Sequence, residues 1–170
     1  AGGTTNILPN GNFGPVYESY PLVEDIWISG LPRLHVDVST STLGGQIYAL
    51  LEDCSEAGEC IHIGHAIMDL RYHEGGSDEQ TWIPILETIN AKMEFFAMDV
   101  QIEAGHTIRL SLASTGEDYL PASTSSVVTV QEGPGSNLIL DIIDSDSKLL
   151  FDPPACTHVV CEEWLNQTSI

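Results

Sequence analysis

The chain has 170 residues and 18.4 kDa, with 42% of its residues in the apolar and aromatic set, which suits one folded domain. Its 25 Asp and Glu against 5 Lys and Arg give a net charge of −20. That excludes nucleic acid and anionic membranes as partners, because both need clustered cations to displace counterions. No apolar stretch approaches the roughly 20 residues of a membrane span, and no signal-peptide pattern opens the chain.

Residues 1–15 carry four Gly, two Pro and three Asn with almost no periodicity, and read as a flexible arm or linker. From Val16 onward, short apolar runs are cut by Gly, Pro, Ser and Asp. Ile26–Trp27–Ile28 ends at Ser29–Gly30–Leu31–Pro32. Leu34, Val36 and Val38 alternate with His35, Asp37 and Ser39. Gln46–Glu52 and Ile61–Leu70 are nearly all apolar, and Glu87–Met98 is the stretch with room for a helical turn. Thr107–Ala113 alternates again, and Val127–Val130 and Asn137–Ile143 complete the set. Period-2 alternation with regular turn signals predicts an all-β sandwich of the jelly-roll kind over residues 16–150. Residues 151–170, with Pro153–Pro154, two cysteines and Trp164, read as an irregular C-terminal extension.

The four cysteines form two close pairs, Cys54 with Cys60 and Cys156 with Cys161, among three formal pairings. Cys54 and Cys60 flank a loop between two strands, so they face each other across a hairpin where a disulfide fits. Such bridges belong to oxidising compartments and predict an extracellular or cell-surface location. Zinc and free thiols are the alternatives. Against zinc, His62 and His65 are three apart on a strand, which sends their side chains to opposite faces. His35, His73, His106 and His158 show no partner pattern that suggests catalysis.

No GxSxG elbow, HExxH, P-loop or dinucleotide fingerprint is present, and no carboxylate pair stands out. No catalytic residue and no cofactor is therefore assigned. Asp141, Asp144 and Asp146 are candidate calcium ligands, though their spacing lacks the Gly and terminal Glu of an EF-hand loop. Dispersed carboxylates with only two lysines, Lys92 and Lys148, suit either a high-salt source or a merely acidic domain. In both cases salt should screen self-repulsion.

Four features occur in an order that resembles the C-terminal domain of X-Pro dipeptidyl-peptidases, cocaine esterase and α-amino acid ester hydrolases. They are the run Val16 to Pro32, the strand Leu50 to Asp53, the segment Gly64 to Tyr72, and Gly105–His106–Thr107–Ile108–Arg109. The resemblance covers about Val16 to Ile143. It implies a jelly-roll, galactose-binding-like sandwich that is not catalytic. In that family the Ser–His–Asp chemistry sits in a preceding α/β-hydrolase domain, in cis or as a partner, whose substrate entrance the sandwich helps to shape. Gly105 is then expected in a positive-φ turn, His106 on a turn carbonyl, and Arg109 paired with a carboxylate across the sheet or on a functional surface. The alternatives are an extracellular structural module and a carbohydrate-binding module. Trp27, Tyr48, Tyr72, Trp82, Tyr119 and Trp164 are the aromatics available to a sugar, most of them expected in the core.

Overall fold

In a computed structural model, the structure describes residues 3–11, 13–74, 79–116, 118–122 and 125–143. Among these residues the regular structure is strand, apart from one 3-10 turn at Leu70–Tyr72. In chain order the strands are β1 (Thr4–Ile7), β2 (Phe13–Glu18), β3 (Ile26–Gly30), β4 (Arg33–Thr40), β5 (Gln46–Cys54) and β6 (Cys60–Asp69). They continue with β7 (Ile89–Glu94), β8 (Met98–Ile102), β9 (Thr107–Ala113), β10 (Val128–Gln131), β11 (Asn137–Ile139) and β12 (Ile142–Ile143).

Every pairing is antiparallel. A four-stranded sheet has the order β2-β9-β5-β6, and a three-stranded sheet the order β12-β3-β8. In the five-stranded sheet β1 pairs β10 and β10 pairs β4. Strands β10 and β11 follow each other along one edge of β4, while β7 takes the other edge.

Alternation places the core. Ile108, Leu110 and Leu112 of β9 and Ile47, Ala49 and Leu51 of β5 are buried on one face of the four-stranded sheet. Leu34, Val36, Val38, Val128, Val130 and Leu138 are buried on the five-stranded sheet. The two sets meet: a small apolar void is lined by Tyr17, Leu110 and Leu112 from one sheet and by Leu34, Val36, Val130 and Leu138 from the other. This is the arrangement of a β-sandwich, whose inner faces share one apolar layer. Full burial of each such side chain contributes about 1.5–3 kcal/mol.

Three expectations give way locally. Within the stretch expected as an arm, Thr4–Ile7 pairs with β10 and Ile7 is fully buried. Backbone hydrogen bonds and one anchoring side chain make that strand, and neither leaves a periodic pattern. Glu87–Met98 holds no helical turn, because Ala91 and Met93 point into the core while Lys92 and Glu94 point out, as β7 pairs with β4. Asn137–Ile143 divides between two sheets, β11 on β4 and β12 on β3. The C-terminal extension lies outside the described residues.

Candidate functional site

The most distinctive local structure is the β5–β6 hairpin. Its loop is held by Ser55, whose N–H donates to the Glu59 carbonyl and whose carbonyl accepts from Gly58. Cys54 and Cys60 are cross-strand partners at its mouth and form a disulfide with their Cα atoms 4.0 Å apart. Cys156 and Cys161 lie outside the described residues.

Below the disulfide the register slips. Leu51 faces Gly64, yet the next residue, Glu52, faces His62, so Ile63 is the extra residue of a β-bulge. Leu50 and Glu52 share one side of β5, and their partners are His65 and His62. The bulge therefore turns two histidines three apart in sequence to the same outer face, contrary to the expectation from a regular strand. Gly64 lies beside the bulge, and a Cβ there would make the Met98 methyl group shift.

The two rings lie 5.1 Å apart between centroids, with His65 Nδ1 3.2 Å from His62 Nε2. His65 Nε2 is 2.9 Å from the Tyr119 hydroxyl. Tyr48 lies 5.8 Å from the His65 ring, and Phe96 meets it edge-on at 5.3 Å. Phe13 extends the cluster through Tyr48 at 6.4 Å. The result is a band of rings across the outside of the four-stranded sheet, with Phe13 51% and Phe96 65% exposed. Burial lowers the pKa of His65, and the neighbouring His62 lowers it further, with Asp118 acting in the opposite sense.

The other expected residues are dispersed. Arg109 pairs with Glu18 across β2 and β9, Nη2 to Oε2 at 3.2 Å. Its other cross-strand neighbour is Glu52, so both residues that flank it in the sheet are acidic. Gly105 has φ +85°, as expected for its turn. His106, expected on a turn carbonyl, instead places Nδ1 2.7 Å from Asp53 Oδ1, because β5 brings that carboxylate beside the turn. His73 Nδ1 lies 2.8 Å from the Leu70 carbonyl. Asp141 pairs with Arg33 at 3.5 Å, while Asp144 and Asp146 lie outside the described residues.

The aromatics expected mostly in the core divide. Tyr48 is buried, but Trp27 and Trp82 are exposed, because the inner faces are filled by aliphatic side chains with Tyr17 and Phe95. Trp27 Nε1 donates to Asp99, and the Arg71 guanidinium lies over the Trp82 ring. Ring pairs in the outer band are tilted by 31–72°, unlike a flat sugar platform.

Among the described residues no group of three or more His, Cys, Asp or Glu is arranged to hold a metal ion. Cys54 and Cys60 are committed to each other, which removes two ligands from the zinc alternative. No helix of the described residues is long and apolar enough to cross a membrane. The partners of His65, His73 and His106 are a tyrosine, a second histidine, a backbone carbonyl and a carboxylate. None is a serine hydroxyl of the kind that an imidazole activates. The bulge was the feature that strand periodicity missed; an isolated glycine inside a strand pattern, Gly64, was its visible signal.

The family model described as the X-Pro dipeptidyl-peptidase C-terminal non-catalytic domain matches residues 10–150. No curated protein matches the chain in sequence. Among solved structures, a CocE/NonD family hydrolase from Staphylococcus aureus is similar with a TM-score of 0.73 and 12% identity, over 85% of this chain and 33% of that one. An aminopeptidase from a marine sediment Thaumarchaeota archaeon gives 0.64 and 16%, over 76% and 25% of the two chains. An α-amino acid ester hydrolase gives 0.65 and 19%, over 75% and 25%. The chain thus spans a quarter to a third of the length of these hydrolases.

Proposed function

The chain belongs to the family of X-Pro dipeptidyl-peptidase C-terminal non-catalytic domains, and on that premise we propose that it is the accessory β-sandwich of a serine peptidase or esterase. It packs on an α/β-hydrolase catalytic domain and shapes the path by which substrate enters. The family match over residues 10–150 carries this reading. The exposed Phe13 and Phe96 support it, since apolar rings outside a sheet are the kind of surface that a docked domain covers. The Cys54–Cys60 disulfide supports a place outside the cell.

Two measurements test this. The isolated chain should hydrolyse neither an X-Pro chromogenic dipeptide nor a nitrophenyl ester; turnover abolished by a serine-directed inhibitor would overturn the non-catalytic assignment. The coding sequence upstream of Ala1 should contain a G-x-S-x-G elbow, and an unrelated domain in that place would overturn the docking.

A further inference from the structure

The bulge in β6 does something that the family assignment does not use. It brings two imidazole nitrogens together on an open surface: His62 Nε2 and His65 Nδ1 share a hydrogen bond of 3.2 Å, and His62 is exposed. Two nitrogens bound to one ion at about 2.0–2.1 Å lie about 2.8 Å apart in square-planar and about 3.4 Å apart in tetrahedral geometry. The observed separation falls between those limits. The far nitrogen of His65 meets the Tyr119 hydroxyl at 2.9 Å. That is the outer hydrogen bond which fixes the tautomer and orientation of a ligating imidazole.

We propose that His62 and His65 form a two-histidine chelate for a late first-row divalent metal ion on the outer face of the four-stranded sheet. With His65 Nε2–H donating to the Tyr119 oxygen, Nδ1 keeps its lone pair and accepts from His62 Nε2–H. The ion takes the place of that shared proton, and His62 then carries its proton on Nδ1. Imidazole suits copper, nickel and zinc, and Cu(II) binds such nitrogen pairs most tightly. No third His, Cys, Asp or Glu of the described residues completes a ligand group. The remaining coordination positions therefore face outward, where water or a donor from another molecule fills them. The net charge of −20 raises the local concentration of divalent cations around the molecule.

The test is a Cu(II) titration of the full chain, read by calorimetry and by electron paramagnetic resonance. The first equivalent should show hyperfine coupling to two imidazole nitrogens. His62→Ala should weaken it by at least about tenfold and leave at most one coupled nitrogen, and His65→Ala should do the same. Because His62 is exposed, its removal leaves the sandwich folded, which far-UV circular dichroism checks. A first equivalent with unchanged affinity and spectrum in both variants would place the copper elsewhere, on the many carboxylates or on His158 with its neighbouring cysteines, and would overturn the site. Wild-type binding no tighter than that of His62→Ala would overturn it as well.

Discussion

Gly105 and His106 occupy one turn, and each performs a different local task. At φ +85° a side chain is strained, and a Cβ would also press on the Glu56 carboxylate at 2.6 Å. Gly105→Ala should therefore cost about 1–2 kcal/mol, measured by urea unfolding. Arg109 and Glu18 form an exposed pair, and Arg109→Ala should change stability by less than about 1 kcal/mol. Two titrations have opposite causes and the same sign. Burial pushes the Asp69 carboxyl up, but hydrogen bonds from the Arg71 side chain and N–H, with the guanidinium charge, outweigh it and hold the carboxyl low. A depressed carboxylate stabilises the fold above its unfolded pKa, near 3.9, and that contribution is lost as pH falls through the folded value. His65 is also depressed, so the unfolded chain takes up its proton first. Stability should fall as pH drops below about 6.5, and less so in His65→Gln, as thermal melts from pH 8 to 5 would show. The positive φ of Gly105 was legible in its Gly–His turn motif. The partner of His106 was not, because Asp53 lies far away in sequence and only the β5–β9 pairing brings it close.

At the scale of elements, the β5–β6 hairpin is pinned at its tip and bent in its body. The Cys54–Cys60 bond closes a short loop, and its loss in Cys60→Ser should cost about 2 kcal/mol through the freedom returned to the unfolded chain. A thiol titration of the denatured, unreduced protein should find at most the two cysteines at 156 and 161. The pair of cysteines could be read because a hairpin has only one register at its tip. The bulge at Ile63, three positions past Cys60, could not be read from alternation, since one extra residue inverts the pattern that follows it. The same limit explains β7. Residues 89–94 have the alternation of a strand, but Glu87, Lys92, Met93 and Glu94 also have helix-favouring side chains. Pairing with β4 decides between the two.

At the scale of the whole molecule, the layered all-β arrangement was legible because the long strands, β4, β5, β6 and β9, carry their apolar residues at period 2 or as buried runs. What joins the layers was less visible. Phe95, a fully buried ring, lies outside any strand, and Phe95→Ala should cost about 3–5 kcal/mol in chemical denaturation. With 25 acidic residues against 5 basic ones, melting temperature should rise with NaCl as like charges are screened. A steady fall from low to high salt would reject that account. Strand β1 has a further consequence. It is short and mostly polar (Thr4, Thr5, Asn6 and then Ile7), and it lies at the rim of the five-stranded sheet against Val128 to Gln131. Brief polar strands of this kind blunt a sheet's edge against sticking to its neighbours. A protein trimmed to residue 10, where the family match starts, would trade that guard for the bare, β-branched flank of β10. Such a trimmed protein should self-associate on a sizing column, while the full chain stays apart.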